Sequence, residues 1–219
     1  MELVYENGSS SRYFDGKIPE STYIGMYFIY IPWILLVCYL QKLAVNYTKH
    51  KAENCLDEPY KPLPDFLHNN LPLLNIRIPD KLLLISAIYT IIDLLWYQNY
   101  LIFNKQLLLL LIVFSIRPFF CCLTILPACL PENNNENYYD KIFLSTHDLM
   151  FSGHTCSFLF MGKIINGNIG YIIGYILPLS LIMSKVHYSI DVFVSMFIYN
   201  YIDLLLKTEL QKDCNSMLQ

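Results

Sequence analysis

The sequence predicts an all-α, polytopic membrane protein with six transmembrane helices in one bundle. Three observations lead there. Of the 219 residues 55% are hydrophobic and the mean hydropathy is +0.38, too apolar for an ordinary soluble domain. Six stretches approach the roughly 17–25 apolar residues that a helix needs to cross a bilayer. They are Thr22–Leu43, Leu82–Phe103, Gln106–Cys129, Leu149–Ile165, Ile169–Met183 and Tyr188–Leu206. The 18 Tyr and 13 Phe also suit a membrane protein, because aromatic rings settle at the interfaces.

Residues 1–21 are polar and aperiodic, and read as a flexible tail. The first span follows without a small-residue cleavage site, so it reads as a retained helix and not as a signal peptide. The longest loop, Asn46–Lys81, carries Pro59, Pro62, Pro64, Pro72 and Pro79. That density argues against a long helix and for an extended, ordered cap. The second and third spans are joined at Asn104–Lys105, the fourth and fifth at Lys163–Asn168, and such short connections predict antiparallel hairpins. Between these hairpins lies the Pro127–Asp148 loop, with its Asn-rich run Glu132-Asn133-Asn134-Asn135-Glu136. The fourth span opens on polar residues and the fifth is short. Residues 22–207 thus form one membrane domain, and residues 208–219 a C-terminal tail.

Alternation of six spans places the long loop, the Pro127–Asp148 loop and the turn before His187 on one membrane face. It brings His154, at the start of the fourth span, and His187, before the sixth, to that same face. Orientation is not readable from charge: Lys49, Lys51, Lys61 and Arg77 on one side balance Lys105, Lys163, Lys207 and Lys212 on the other. Net charge is −3 with no long charged run, so nucleic acid is not an expected partner. Most of the seven Cys fall inside spans (Cys38, Cys121, Cys122, Cys129, Cys156) and no CxxC pair occurs, so neither a disulfide framework nor a zinc site is expected.

Chemistry is concentrated in a few polar residues at the edges of these apolar stretches. In His187-Tyr188-Ser189-Ile190-Asp191 the carboxylate falls four residues after the imidazole. On a helical face it could hold one ring nitrogen and leave the other as a nucleophile. The structural alternative is an interfacial histidine with Asp191 as a cap or a satisfied buried carboxylate; the cost of charge inside a span favours function. In Ser152-Gly153-His154-Thr155 a helix start can aim N–H groups at an anion such as phosphate, or it can be an ordinary capped helix. Asp148 could orient a histidine or bind a polar headgroup, or simply be solvated. Arg117, mid-span in Ser115-Ile116-Arg117-Pro118, must face the bundle interior, a wet cavity or an anion. Its fork suits phosphate oxygens, and pairing with Asp93 of the second span is the competing reading.

Taken together, these blocks resemble the sphingomyelin synthase family, a branch of the type 2 phosphatidic acid phosphatase superfamily. Pro62-Leu63-Pro64-Asp65 is similar to the family's segment before the second span. Arg117, Thr124 and Leu126-Pro127 follow its Arg-x6-Thr-x-Leu-Pro pattern. Asp148-x3-Ser152-Gly153-His154-Thr155 and His187-Tyr188-Ser189-Ile190-Asp191-Val192 follow its two histidine blocks, with His147 in place of a glycine and Thr146 in place of a cysteine. The likeness runs from about Lys61 to Leu206. The lipid phosphate phosphatases of the same superfamily carry cations where this chain has Leu110 and Leu181, although Arg117-Pro118 echoes their first block.

The resemblance implies a six-span catalytic domain in the Golgi, endoplasmic reticulum or plasma membrane, with cytosolic ends and the site on the lumenal or outer face. It implies a metal-free, cofactor-free phosphotransferase. His187, held by Asp191, would attack the phosphorus of a phospholipid donor, phosphatidylcholine or phosphatidylethanolamine. His154 would serve as acid and then base, and Arg117 with the Ser152–His154 helix start would hold the phosphoryl oxygens. Asp148, Ser152, Gly153 and Asp65 would complete the substrate-binding set. The acceptor would be ceramide or another lipid alcohol. Water in its place would give a lipid phosphatase or a phospholipase C-like hydrolase, and a non-catalytic membrane protein that kept the fold is the third reading.

Overall fold

A computed structural model describes residues 20–56, 61–98, 100–127, 129, 151–165 and 167–216, of which 20–27 and 209–216 are described by backbone alone. The chain divides into two compact units, Met1–Leu36 and Val37–Gln219. Among the described residues all regular structure is helical and there is no strand. The helices are α1 (Glu20–Cys55), α2 (Phe66–Asn70), α3 (Ile78–Tyr97), α4 (Tyr100–Leu123), α5 (Gly153–Ile164), α6 (Gly167–Tyr171), α7 (Leu179–Met183) and α8 (Ser189–Ser216). A π-helical turn, Ile172–Ile176, continues α6 toward α7.

Among the described residues three helical stretches are long and apolar enough to cross a membrane: Phe28–Cys55, Tyr100–Leu123 and Ser189–Thr208. The chain is therefore a membrane protein built from helices. The other three expected spans are different in kind. Helix α3 has 20 residues but carries Asp80, Lys81 and Asp93. Its outward stripe, Leu84, Ile85, Ile88, Ile91, Ile92 and Leu95, is nonetheless wholly exposed, a helical-period apolar face of the sort that contacts lipid. Helix α5, at 12 residues, is about 18 Å long, against a hydrocarbon core of about 30 Å. The Gly167–Met183 stretch is interrupted by the π turn and by Pro178, whose ring cannot continue an α-helix from within.

Several boundaries also move. Helix α1 runs on to Cys55, so the long loop begins well after Asn46: hydropathy marks where lipid contact ends, whereas Asn46–Cys55 has no proline to stop the helix. Within that loop Asp65 caps the short α2, its side chain accepting from Leu67 and His68 N–H. The first hairpin turns at Gln98, in the left-handed region at φ 54°, and Asn104–Lys105 lies inside α4. The last helix extends through Ser216, into the stretch read as a tail.

In the second unit α5 packs against α3, α4, the π turn and α8. Leu109 and Val113 of α4, Cys156 and Leu159 of α5 and Tyr199 of α8 are fully buried together with Phe151. The approach of α5 to α6 and the π turn depends on glycine. A Cβ on Gly162 would stand 2.5 Å from the Gly170 carbonyl oxygen and 2.6 Å from the Gly174 nitrogen, both backbone atoms with no freedom to yield. Gly162→Ala is therefore expected to destabilise the protein by about 1–3 kcal/mol. Thermal unfolding in detergent reads this directly, and an unchanged midpoint would mean the helices can part without loss.

Candidate active site

The site is assembled from four helix ends. Arg117 sits near the C-terminal end of α4, one residue before Pro118, which has no N–H to offer the preceding turn. Its guanidinium is buried and its Nε donates to the Phe151 carbonyl at 2.9 Å, which fixes the segment that leads into α5. Ser152 caps α5, its hydroxyl accepting from the Thr155 N–H. The Ser152 N–H in turn donates to Ser195 Oγ at 2.8 Å, and that hydroxyl donates to the Asp191 carbonyl at 2.7 Å. One relay of hydrogen bonds thus ties the start of α5 to the first turns of α8. The Gly153 and His154 N–H groups at this helix start bond to no described residue. An added Cβ on Gly153 would lie 3.6 Å from Arg117 Nε, so guanidinium and helix N-terminus are neighbours.

His187 and Asp191 do pair, but not across a helical face. His187 lies in the turn before α8, and Asp191 is in that helix's first turn. Asp191 Oδ2 reaches back to accept from the Tyr188 N–H at 3.0 Å, the backward half of a capping box, and lies 3.5 Å from His187 Nδ1. One fully buried carboxylate therefore does both things that the sequence offered as alternatives: it caps the helix and faces the imidazole. The His154 and His187 rings stand with centroids 6.2 Å apart, tilted at 59°. Behind His154, Asp80 of the first turn of α3 places Oδ1 3.1 Å from Nε2. Each imidazole thus faces a carboxylate as well as the other ring.

His187 is also braced from the long connection. His68 Nε2 donates to the His187 carbonyl at 2.9 Å, and its ring stacks on Tyr188 with centroids 5.7 Å apart. The Tyr188 hydroxyl accepts from the Leu63 N–H and donates to the Pro127 carbonyl. The long connection, the segment after α4 and the turn before α8 accordingly meet at one tyrosine. Asp65, expected in the substrate-binding set, uses both oxygens on the chain itself: Oδ1 on α2, and Oδ2 on the Ser189 N–H and hydroxyl at 2.7 and 2.9 Å. Asp148 lies outside the described residues. Asp93 is thirteen residues beyond Asp80 on α3, about 20 Å along the axis from the histidine end, so the helices do not offer it to Arg117.

Burial works to raise the Asp65 carboxyl pKa, but the hydrogen bonds from Ser189 and His68 outweigh it and hold the group below its ordinary value. A carboxylate with a depressed folded-state pKa stabilises the fold fully above its unfolded value near 3.9, and that contribution is lost as pH falls through the lower folded value. The stability gap between wild type and Asp65→Asn is thus expected to be largest near pH 6 and to close as pH drops below about 4. Unfolding midpoints of the two proteins at pH 6 and pH 3 measure it; a gap independent of pH would remove the ionised carboxylate from the account.

The fold and site together define a class: a helical membrane protein whose two histidines, each facing a carboxylate, lie with a buried arginine at the ends of apolar helices. A scan against models of known protein families returns no match to this chain, and a search of curated proteins returns none either.

Proposed function

We propose that this chain is a membrane lipid phosphotransferase that moves a phospho-headgroup from a glycerophospholipid to a lipid alcohol, across a bundle of six membrane crossings. The observation that carries the reading is the facing pair of imidazoles, 6.2 Å apart, beside buried Arg117 and the open N-terminus of α5. Two imidazoles this close can serve one phosphoryl group, one as nucleophile and the other as acid. His187 Nε2 donates its electron pair to phosphorus and the bond from phosphorus to the diacylglycerol oxygen breaks. His154 gives that oxygen its proton. In the second half the acceptor hydroxyl returns a proton to His154, its oxygen bonds to phosphorus, and the bond to His187 breaks. Arg117 and the N–H groups of Gly153 and His154 meet the charge on the phosphoryl oxygens. Asp191 holds His187 Nδ1; its 3.5 Å separation is of the sort that tightens when a ligand seats. Asp80 orients His154, the part the sequence offered to Asp148.

A hydrolase is the second reading, and one observation favours it. The acid/base side is more open than the nucleophile: the His154 side chain is 21% exposed and that of Asp80 56%, against 7% for His187. Water could therefore reach the second step. Incubating purified protein with labelled phosphatidylcholine and ceramide decides. Labelled sphingomyelin supports transfer, free phosphocholine supports hydrolysis, and neither product, with the same blank from phosphatidylethanolamine, would sink both.

A further inference from the structure

At the opposite end of the same helices lies a second cluster of charge. Asp203 of α8 is buried, and three ammonium groups converge on it: Lys105 of α4 at 3.6 Å, Lys163 of α5 at 3.3 Å and Lys207 of α8 at 3.0 Å. One carboxylate cannot neutralise three cations, and among the described residues no other carboxylate pairs with any of them. The lysines are a quarter to half exposed, so their heads reach the surface while their stems follow the helices. Surplus positive charge gathered between three helices is the character of a site prepared for an anionic guest.

We infer that this end of the bundle binds the phosphate of an anionic phospholipid headgroup. Position selects a lipid source. Asp203 is twelve residues from Asp191 on α8, about 18 Å along the axis and near the far limit of its membrane-length stretch, so the cluster lies well away from the histidines. Its three cations come from three helices in apolar surroundings, and basic pockets of that kind between membrane helices take anionic headgroups. Tyr175 adds an apolar wall, with the Lys163 ammonium over its ring at 6.0 Å. The inference does not depend on the catalytic reading, since it concerns binding at the far end of the helices.

The test uses the full chain in phosphatidylcholine nanodiscs doped with phosphatidylglycerol, with retained lipid counted by native mass spectrometry. Wild type is expected to retain phosphatidylglycerol in preference to phosphatidylcholine. Lys207→Gln, at a half-exposed position, should weaken retention about fivefold, and Lys163→Gln combined with Lys207→Gln tenfold or more. Asp203→Asn should strengthen retention, because it removes the one opposing charge, whereas an ion-pair network with a purely structural role gives the opposite sign. Arg77→Gln, which removes an exposed cation at the histidine end, should leave retention unchanged. Loss of retention in Arg77→Gln, or wild-type retention in Lys207→Gln, would overturn the inference. So would displacement of the lipid by millimolar inorganic phosphate, which would make the guest a free anion.

Discussion

Replacing His187 by alanine is expected to lower transfer by at least about a thousandfold and to abolish any phosphate trapped on the protein. The side chain can be removed without dismantling its surroundings. The bond from His68 goes to the His187 backbone carbonyl, and the α8 cap is made by Asp191 to Tyr188, so both survive the substitution. An unchanged unfolding midpoint together with lost turnover would place the effect on chemistry. Rapid quench with phosphorus-labelled donor, followed by mass spectrometry of the peptide containing His187, looks for the intermediate itself. Label retained at full level in His187→Ala would exclude this residue as the nucleophile.

The second large effect is expected at Asp191, where two roles must be separated. Asparagine keeps an oxygen for the Tyr188 N–H and so preserves the cap, but it carries no charge to hold the imidazole in one tautomer. Asp191→Asn should therefore leave stability nearly unchanged while lowering kcat by about 10⁴, the size of loss seen when a buried aspartate behind a catalytic histidine is neutralised. Asp191→Ala removes both functions and should cost about 1 kcal/mol in addition. Turnover and unfolding midpoints of the two variants resolve the roles. Full activity in Asp191→Asn would reduce this carboxylate to a helix cap.

How much of this was legible in the sequence depended on whether the signal was local. The stripe of Leu84, Ile85, Ile88, Ile91, Ile92 and Leu95 is a pattern in the chain, and the helix it marks is there. The stopping points were not, because polarity and helix ends are different properties. Lys49 and Lys51 leave lipid without leaving the helix, and the hairpin turns where Gln98 adopts a left-handed backbone, a conformation its side chain does not advertise. The histidine blocks were visible as motifs, and the structure draws Ser152, Gly153, His154, His187, Asp191 and Arg117 toward one end of the helices. Asp80 was invisible: it is an ordinary acidic residue at a helix start, and it meets His154 only through the packing of α3 on α5. His68 likewise gains its role from a contact 119 residues away. Ser195 is a mid-helix serine whose hydroxyl both accepts and donates across the α5–α8 contact, which no local pattern announces.

The two buried carboxylates of α8 have a bearing on the kind of bilayer the protein suits. Asp191 and Asp203 are about 18 Å apart along the helix, and the lysine stems extend the polar limit by only a few ångströms. That is thinner than the roughly 30 Å of hydrocarbon in an average membrane and nearer to the thinnest intracellular ones. On the proposed reaction, a dimpled bilayer or a donor lipid that settles below its neighbours would bring the headgroup to the histidines. Either way short-chain surroundings are favoured. Turnover in bilayers of 14-carbon phosphatidylcholine should exceed that in 20-carbon bilayers, and a rate indifferent to chain length would mean that lipid reaches the site without such a deformation.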